Sequence, residues 1–216
     1  MRAAETKTEQ MLSWSGEFGR EYTDRNARSP NELERIYYDR FGQTRTEINL
    51  DFLDDLDRSM RILEVGSNIG NQLIFLQTIG YENLWGVELQ WYAVEQARRR
   101  TENMNIVQGS AFDLPFKDNY FDLVFTSGLL IHISPDDLPK ALSEIYRCSS
   151  KFIWGFEYYD TDFQAINYRG HDELMWKGDY ASIYQDHFGD LEVLKQETYK
   201  YADSDNVDAC FLMQKK

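Results

Sequence analysis

The chain turns on residues 61–88, RILEVGSNIGNQLIFLQTIGYENLWGVE. Ile62, Leu63 and Val65 form a short apolar run that stops at Gly66-Ser67-Asn68-Ile69-Gly70. Helical spacing follows through Leu73, Ile74 and Leu76 to Gly80, and a second run, Leu84 to Val87, closes on Glu88. The order is strand, glycine-rich turn, helix, then strand with a terminal carboxylate. Turn glycines let the backbone approach a ligand closely. The first turn of the helix leaves N–H groups unsatisfied, and a carboxylate after the second strand can accept both hydroxyls of a ribose. The stretch therefore predicts a βαβ cradle for a nucleoside-containing ligand.

The spacing Glu64-x-Gly66-x-Asn68-x-Gly70 differs from the dinucleotide fingerprint G-x-G-x-x-G. It resembles motif I of class I S-adenosylmethionine (SAM)-dependent methyltransferases, (D/E)-x-G-x-G-x-G. Asn68 stands at the middle glycine, and asparagine tolerates a left-handed backbone better than other non-glycine residues. The resemblance implies SAM as cofactor and S-adenosylhomocysteine as product. Glu64, Gly66, Ser67, Asn68 and Gly70 would surround the cofactor, with Glu88 and Leu89 at the end of the second strand.

Composition narrows the rest. A net charge of -14 disfavours nucleic acid and anionic membranes as partners. The longest basic run, Arg98-Arg99-Arg100, suits the C-terminal end of a helix. Cys148 and Cys210 offer neither a disulfide framework nor zinc spacing, and three scattered histidines offer no metal cluster. Both cysteines sit in apolar contexts, as buried thiols of a reducing cytoplasm would. No stretch has the length and apolarity of a membrane span, and MRAAETKTEQ lacks a signal-peptide core. A cytoplasmic protein with no metal is expected; the oligomeric state is not legible.

Residues 5–26 place Met11, Trp14, Phe18 and Tyr22 at helical spacing, with Gly16 and Gly19 as possible breaks. Ser29-Pro30-Asn31-Glu32 is a helix start with a capping box, and Gly42 ends that helix. Residues 44–56 repeat the helical pattern. From Arg61 the rhythm becomes βα alternation. A helix is expected over Trp91–Arg100, and strands over Asn105–Gln108, Phe121–Ser127 and Lys151–Phe156. A further helix should start near Pro139 and run to Cys148, with a short one over Ala181–Phe188. Leu191–Tyr201 and Asp208–Gln214 read as a hairpin. This order resembles the class I methyltransferase fold over residues 60–216. It implies an α/β, Rossmann-like seven-stranded sheet with a C-terminal antiparallel hairpin. Residues 1–58 form a helical extension or lid, and 59–216 the SAM-binding domain.

Other strand ends carry the remaining candidates. Gly109-Ser110-Ala111-Phe112-Asp113-Leu114-Pro115-Phe116 resembles the family's G-D-A-x-x-L-P-F segment, with Ser110 where the acid that meets the adenine usually stands. Backbone groups of Ala111 and Phe112, and the Phe112 ring, would then hold the adenine. Ser127 and Gly128 resemble the backbone beside the methionine part of SAM. His132 just beyond them reads either as a general base, through a near-neutral pKa, or as a structural histidine. In the N-terminal block, Tyr22 and Arg25 are cofactor candidates, Arg25 for the methionine carboxylate.

W-x-G-E-F-G-x-E-Y-x-x-R-N, L-E-V-G-S-N-I-G-N, G-S-A-F-D-L-P-F and Y-R-G-H-D together resemble the methylases associated with pseudaminic acid biosynthesis. That likeness implies a small sugar or sugar-nucleotide acceptor. Tyr158, Tyr168, Arg169 and His171 are then the substrate-side candidates, Arg169 for a carboxylate or phosphate. Open alternatives are another small acceptor on the same fold, a SAM-binding protein without catalysis, and a dinucleotide enzyme. The missing G-x-G-x-x-G speaks against the last.

Overall fold

A computed structural model describes residues 8–170 and 174–216. Four helices precede the sheet: α1 (Glu9–Ser15), α2 (Glu17–Asn26), α3 (Pro30–Phe41) and α4 (Arg45–Leu53). Gly16 separates the first two. Ser29 and Thr44 form reciprocal capping boxes with Glu32 and Glu47, and Gly42 closes α3 in the left-handed conformation. These are the boundaries that the punctuation at Ser29, Pro30 and Gly42 predicts.

The sheet starts with β1 (Ile62–Val65), followed by α5 (Asn71–Thr78), β2 (Leu84–Glu88), α6 (Trp91–Arg100), β3 (Asn105–Gln108) and β4 (Phe121–Ser127). Then come α7 (Leu138–Cys148), β5 (Ser149–Tyr158), a small ribbon of β6 (Gln164–Ala165) and β7 (Trp176–Lys177), α8 (Tyr180–His187), β8 (Leu191–Lys200) and β9 (Val207–Lys215). The seven-stranded order is β3-β2-β1-β4-β5-β9-β8. The first five strands are parallel, and β9 enters antiparallel between β5 and β8. The chain direction of travel reverses between β1 and β4, so a crevice opens at their C-terminal ends, where open α/β sheets bind ligands.

Two differences from the sequence reading concern the same region. β5 runs from Ser149 to Tyr158, beyond the expected Lys151–Phe156, because its antiparallel partner carries the ladder out to the Tyr158–Asp208 pair. The ribbon of β6 and β7 lies inside the polar-aromatic insertion, whose short, mixed residues give no strand periodicity. Proline is accommodated in α7 because Pro139 falls in its first turn, where no N–H is needed.

Apolar side chains pack on both faces of the sheet. One cluster holds Leu63, Val65, Val124 and Ile153 with Leu142 and Ile145 of α7 and Met11 of α1. The other holds Ile62, Leu123, Phe125 and Trp154 with Leu73 and Leu76 of α5 and Ile48, Phe52 and Leu53 of α4. The N-terminal helices thus share the core of the sheet. Arg45 of α4 is fully buried, its guanidinium 4.4 Å from the Phe156 ring centroid and 5.2 Å from that of Trp154.

The tightest packing in the sheet is at Gly155, whose cross-strand partner is Phe211. A Cβ added there would lie 2.2 Å from the Phe211 ring. Gly155→Val should therefore cost about 1–3 kcal/mol through overpacking. Urea unfolding measures this, and an unchanged midpoint would contradict the packing described.

Candidate active site

The glycine loop is shaped by three left-handed residues, Gly66 (φ 78°), Asn68 (φ 45°) and Gly70 (φ 79°). Asn68 thus occupies the conformation that its tolerance of a left-handed backbone allows. At Gly66 a Cβ would come within 2.7 Å of Leu129, so glycine is required for the loop to pass β4's end. Glu88 fixes the loop from the neighbouring strand. Its Oε2 accepts the Asn68 N–H at 2.9 Å and its Oε1 the Gln90 N–H at 2.8 Å. Each oxygen retains a further lone pair. Burial raises the Glu88 pKa, while these backbone donors oppose the rise.

Above the loop lies a cavity of about 720 Å³. Glu64, Gly66, Ser67, Asn68, Glu88 and Leu89 line one side of it. Ser110, Ala111 and Phe112 line the end of β3, and Ser127, Gly128 and His132 the end of β4. Gly70 does not reach the cavity; it caps α5 with its left-handed backbone. The Phe112 N–H is bonded to the Ser110 hydroxyl at 3.1 Å, so it is engaged within the turn rather than presented to a ligand.

Helices α1 and α2 cover this side. The Gln90 side chain donates to the carbonyls of Trp14 (3.2 Å) and Gly16 (2.9 Å), and accepts from the Thr23 hydroxyl at 3.3 Å. Trp14 and Tyr22 line the cavity. Arg25 does not: it faces a smaller adjoining recess and pairs with Glu21 at 3.5 Å.

His132 is buried and its ring lies 4.4 Å from that of Trp14. Its Nδ1 is 2.7 Å from the Leu174 carbonyl, which makes Nδ1 the protonated nitrogen. Burial lowers its pKa to about 4, in place of the near-neutral value its position suggested. It is a neutral side chain with little capacity to take a proton near pH 7.

Glu157 at the end of β5 has the opposite character. It is 2% exposed and lines the cavity. Its Oε1 accepts the Leu129 N–H at 3.3 Å, and its buried Oε2 has no hydrogen-bond partner among the described residues. Burial raises its pKa to about 7, against opposing hydrogen bonds from Thr126 and the backbone of residues 129–131. Asp208 of β9, also on the cavity wall, is raised to about 7 by burial although the Tyr201 hydroxyl donates to it at 3.1 Å.

Tyr158 and Tyr168 line the same cavity, whereas Arg169 lines the recess beside Arg25. His171 lies outside the described residues. The sequence reading missed Glu157 as a site residue, together with Tyr37 and Arg40 of α3, Tyr201 and Asp208. Glu157 carried a usable signal: FIWGFE ends an apolar parallel strand on a carboxylate, as LWGVE does at Glu88.

Among the described residues, several that line this space carry buried polar atoms without hydrogen-bond partners: Trp14 Nε1, Ser67 Oγ, Asn68 Oδ1, Asn71 Oδ1 and Gln72 Oε1. Such groups require a ligand or water for satisfaction. Together with Glu88 they fit a ligand carrying a ribose and polar ends. Among the described residues, no three His, Cys, Asp or Glu side chains gather as a metal would require, and no helix is long and apolar enough to cross a membrane.

Residues 63–151 match the family model described as a methyltransferase domain. O-methyltransferase rstn1 of Aspergillus nomiae is 30% identical over 96 residues, 42% of this chain and 42% of that protein. Sterol methyltransferase-like 3 of Botryococcus braunii is 27% identical over 133 residues, 57% of this chain and 33% of that protein. The chain thus spans less than half the length of these relatives. The magnesium protoporphyrin IX methyltransferase of Synechocystis PCC 6803, solved with bound SAM, superposes with a TM-score of 0.69 at 11% identity, over 99% of this chain and 100% of that one. The fold is that of class I SAM-dependent methyltransferases, and residues 63–151 match a methyltransferase domain.

The pKa of Glu157 has a consequence for stability. Its ordinary value is 4.5 and its folded value about 7. Between the two, the folded protein holds a proton that the unfolded chain has released, so stability falls as pH rises through this window and stays reduced above it. In ligand-free protein, Glu157→Gln should remove this part of the slope, gaining on the order of 2 kcal/mol relative to wild type above about pH 7. Urea unfolding across the window measures it. Parallel pH profiles for the two proteins would contradict the burial assigned to Glu157.

Proposed function

We propose that this protein is a SAM-dependent methyltransferase that methylates a small molecule, a sugar or sugar nucleotide of surface-polysaccharide or nonulosonic-acid synthesis, in the cytoplasm. The observation that carries the reading is one cavity in which, of the five carboxylates that line it among the described residues, Glu88 at the end of β2 and Glu157 at the end of β5 stand in unlike settings. Glu88 is clamped by backbone donors at the glycine loop, and Glu157 lines the cavity beyond it, one of its oxygens buried with no hydrogen-bond partner among the described residues.

SAM supplies an electrophilic methyl group on a sulfonium whose thioether departs readily, so positioning accounts for much of the rate. Gly66, Ser67, Asn68 and the end of β4 would hold the methionine end, Glu88 the ribose, and Ala111 with the Phe112 ring the adenine. Trp14 and Tyr22 exclude water from above. Glu157 would take the proton of the acceptor hydroxyl, while SAM, when bound, would supply the methyl group and leave as S-adenosylhomocysteine. A pKa of about 7 suits this transfer near neutral pH. His132, held neutral by its bond to the Leu174 carbonyl, positions Trp14 and Tyr168 rather than taking the proton. Tyr168 offers aromatic surface to a sugar ring, while the Tyr158 ring is stacked with Tyr201 and covered by Lys177.

The test is transfer of labelled methyl from SAM to a panel of sugar nucleotides and to fractionated metabolite extracts. Label should appear in a small anionic product, and kcat/KM should fall as pH drops through the ligand-free Glu157 value of about 7, with the break in kcat at lower pH because the sulfonium favours the carboxylate. Glu157→Gln should lower turnover by about 10²-fold or more with S-adenosylhomocysteine affinity retained. Cofactor binding without transfer to any fraction would favour a binding protein. Full turnover in the variant would remove Glu157 from the chemistry.

A further inference from the structure

The smaller recess beside the cavity is lined by Tyr22, Arg25, Asn26, Arg28, Tyr168 and Arg169. Four of these, Tyr22, Asn26, Arg28 and Tyr168, also line the main cavity, so the recess shares its wall. Among the described residues, three arginines and no carboxylate line this recess, in a chain with 37 acidic and 23 basic residues. Arg25 has an ion pair with Glu21, whose side chain is 63% exposed, yet its Nη2 is buried without a partner. Among the described residues, neither Arg28 nor Arg169 has a carboxylate within ion-pair distance. Burial keeps the Tyr22 hydroxyl protonated and hence a donor.

Placement of Arg169 is costly. Its backbone is left-handed (φ 53°), a conformation that strains a non-glycine residue of this kind. The preceding Tyr168 packs against Phe18 of α2 and His132, which fixes the insertion over the cavity mouth. Clustered guanidinium groups left without carboxylates attract an oxyanion through charge-assisted, often bidentate hydrogen bonds.

We propose that this recess binds an anionic group of the methyl acceptor, a carboxylate or phosphate, and so selects anionic acceptors. The inference rests on the methyltransferase reading for the word acceptor alone; the anion site stands on the arginines. The rival occupant is the methionine carboxylate of SAM. None of the loop residues Gly66–Gly70, nor Glu88, Ser127 or Gly128, lines the recess, whereas the insertion after β5 does. That places it on the acceptor side.

The test titrates inorganic phosphate into the full-length protein, free and saturated with S-adenosylhomocysteine, by calorimetry and ¹⁵N-arginine NMR. Phosphate should bind the saturated protein at millimolar concentration. Arg169→Gln and Arg25→Gln should each weaken it by about tenfold, with melting temperature and S-adenosylhomocysteine affinity unchanged. Displacement of phosphate by S-adenosylhomocysteine but not by 5′-methylthioadenosine, which lacks the amino-acid end, would assign the recess to the cofactor and overturn the proposal. So would the absence of phosphate binding in both forms. If S-adenosylhomocysteine itself fails to bind, the methyltransferase reading falls, while phosphate binding to the free protein still reports on the anion site.

Discussion

Two hydrogen bonds to the Glu88 carboxylate organise the site. One holds Asn68 and with it the glycine loop; the other holds the backbone of Gln90. The Gln90 side chain then ties α1 and α2 over the cavity through Trp14, Gly16 and Thr23. The carboxylate that would meet the ribose is therefore joined, through two residues of chain, to the element that covers it. Gly19 shows how close that cover sits: a Cβ there would lie 2.9 Å from the Gln90 amide.

Electrostatics connects the two ends of the cavity. Burial pushes Glu64, Glu88, Glu157 and Asp208 upward in pKa. A cationic ligand beside them favours their ionised forms. A sulfonium cofactor thus suits this floor in a way that a pyrophosphate-bearing dinucleotide does not. Arg25, Arg28, Arg40 and Arg169 line the cavity or its recess from α2, the α2–α3 link, α3 and the insertion after β5, while Arg45 is buried against Phe156 and opposes the rise at Glu64 and Asp208.

Much of this was legible in the sequence because the signals were local. The Ser29 and Gly42 caps, the glycine loop and the apolar parallel strands are each specified by residues close together in the chain. The C-terminal hairpin announced itself through paired runs around a polar turn. What escaped depended on long-range contact. β5 is lengthened by β9, a strand that follows some 50 residues later in the chain. His132 loses its basicity to burial under Trp14, and Arg25 turns from the main cavity into a side recess; neither follows from neighbouring residues. Tyr37, Arg40 and Asp208 reach the site from helices and strands whose own patterns read only as scaffold.

The central claim is that Glu88 receives the ribose of a SAM-type cofactor in this cavity. Isothermal titration of S-adenosylhomocysteine into the wild-type protein and into Glu88→Ala tests it most directly. Loss of about 1.5–3 kcal/mol of binding free energy is expected, from the removal of charge-assisted hydrogen bonds. Equal affinity for the two proteins would contradict the account.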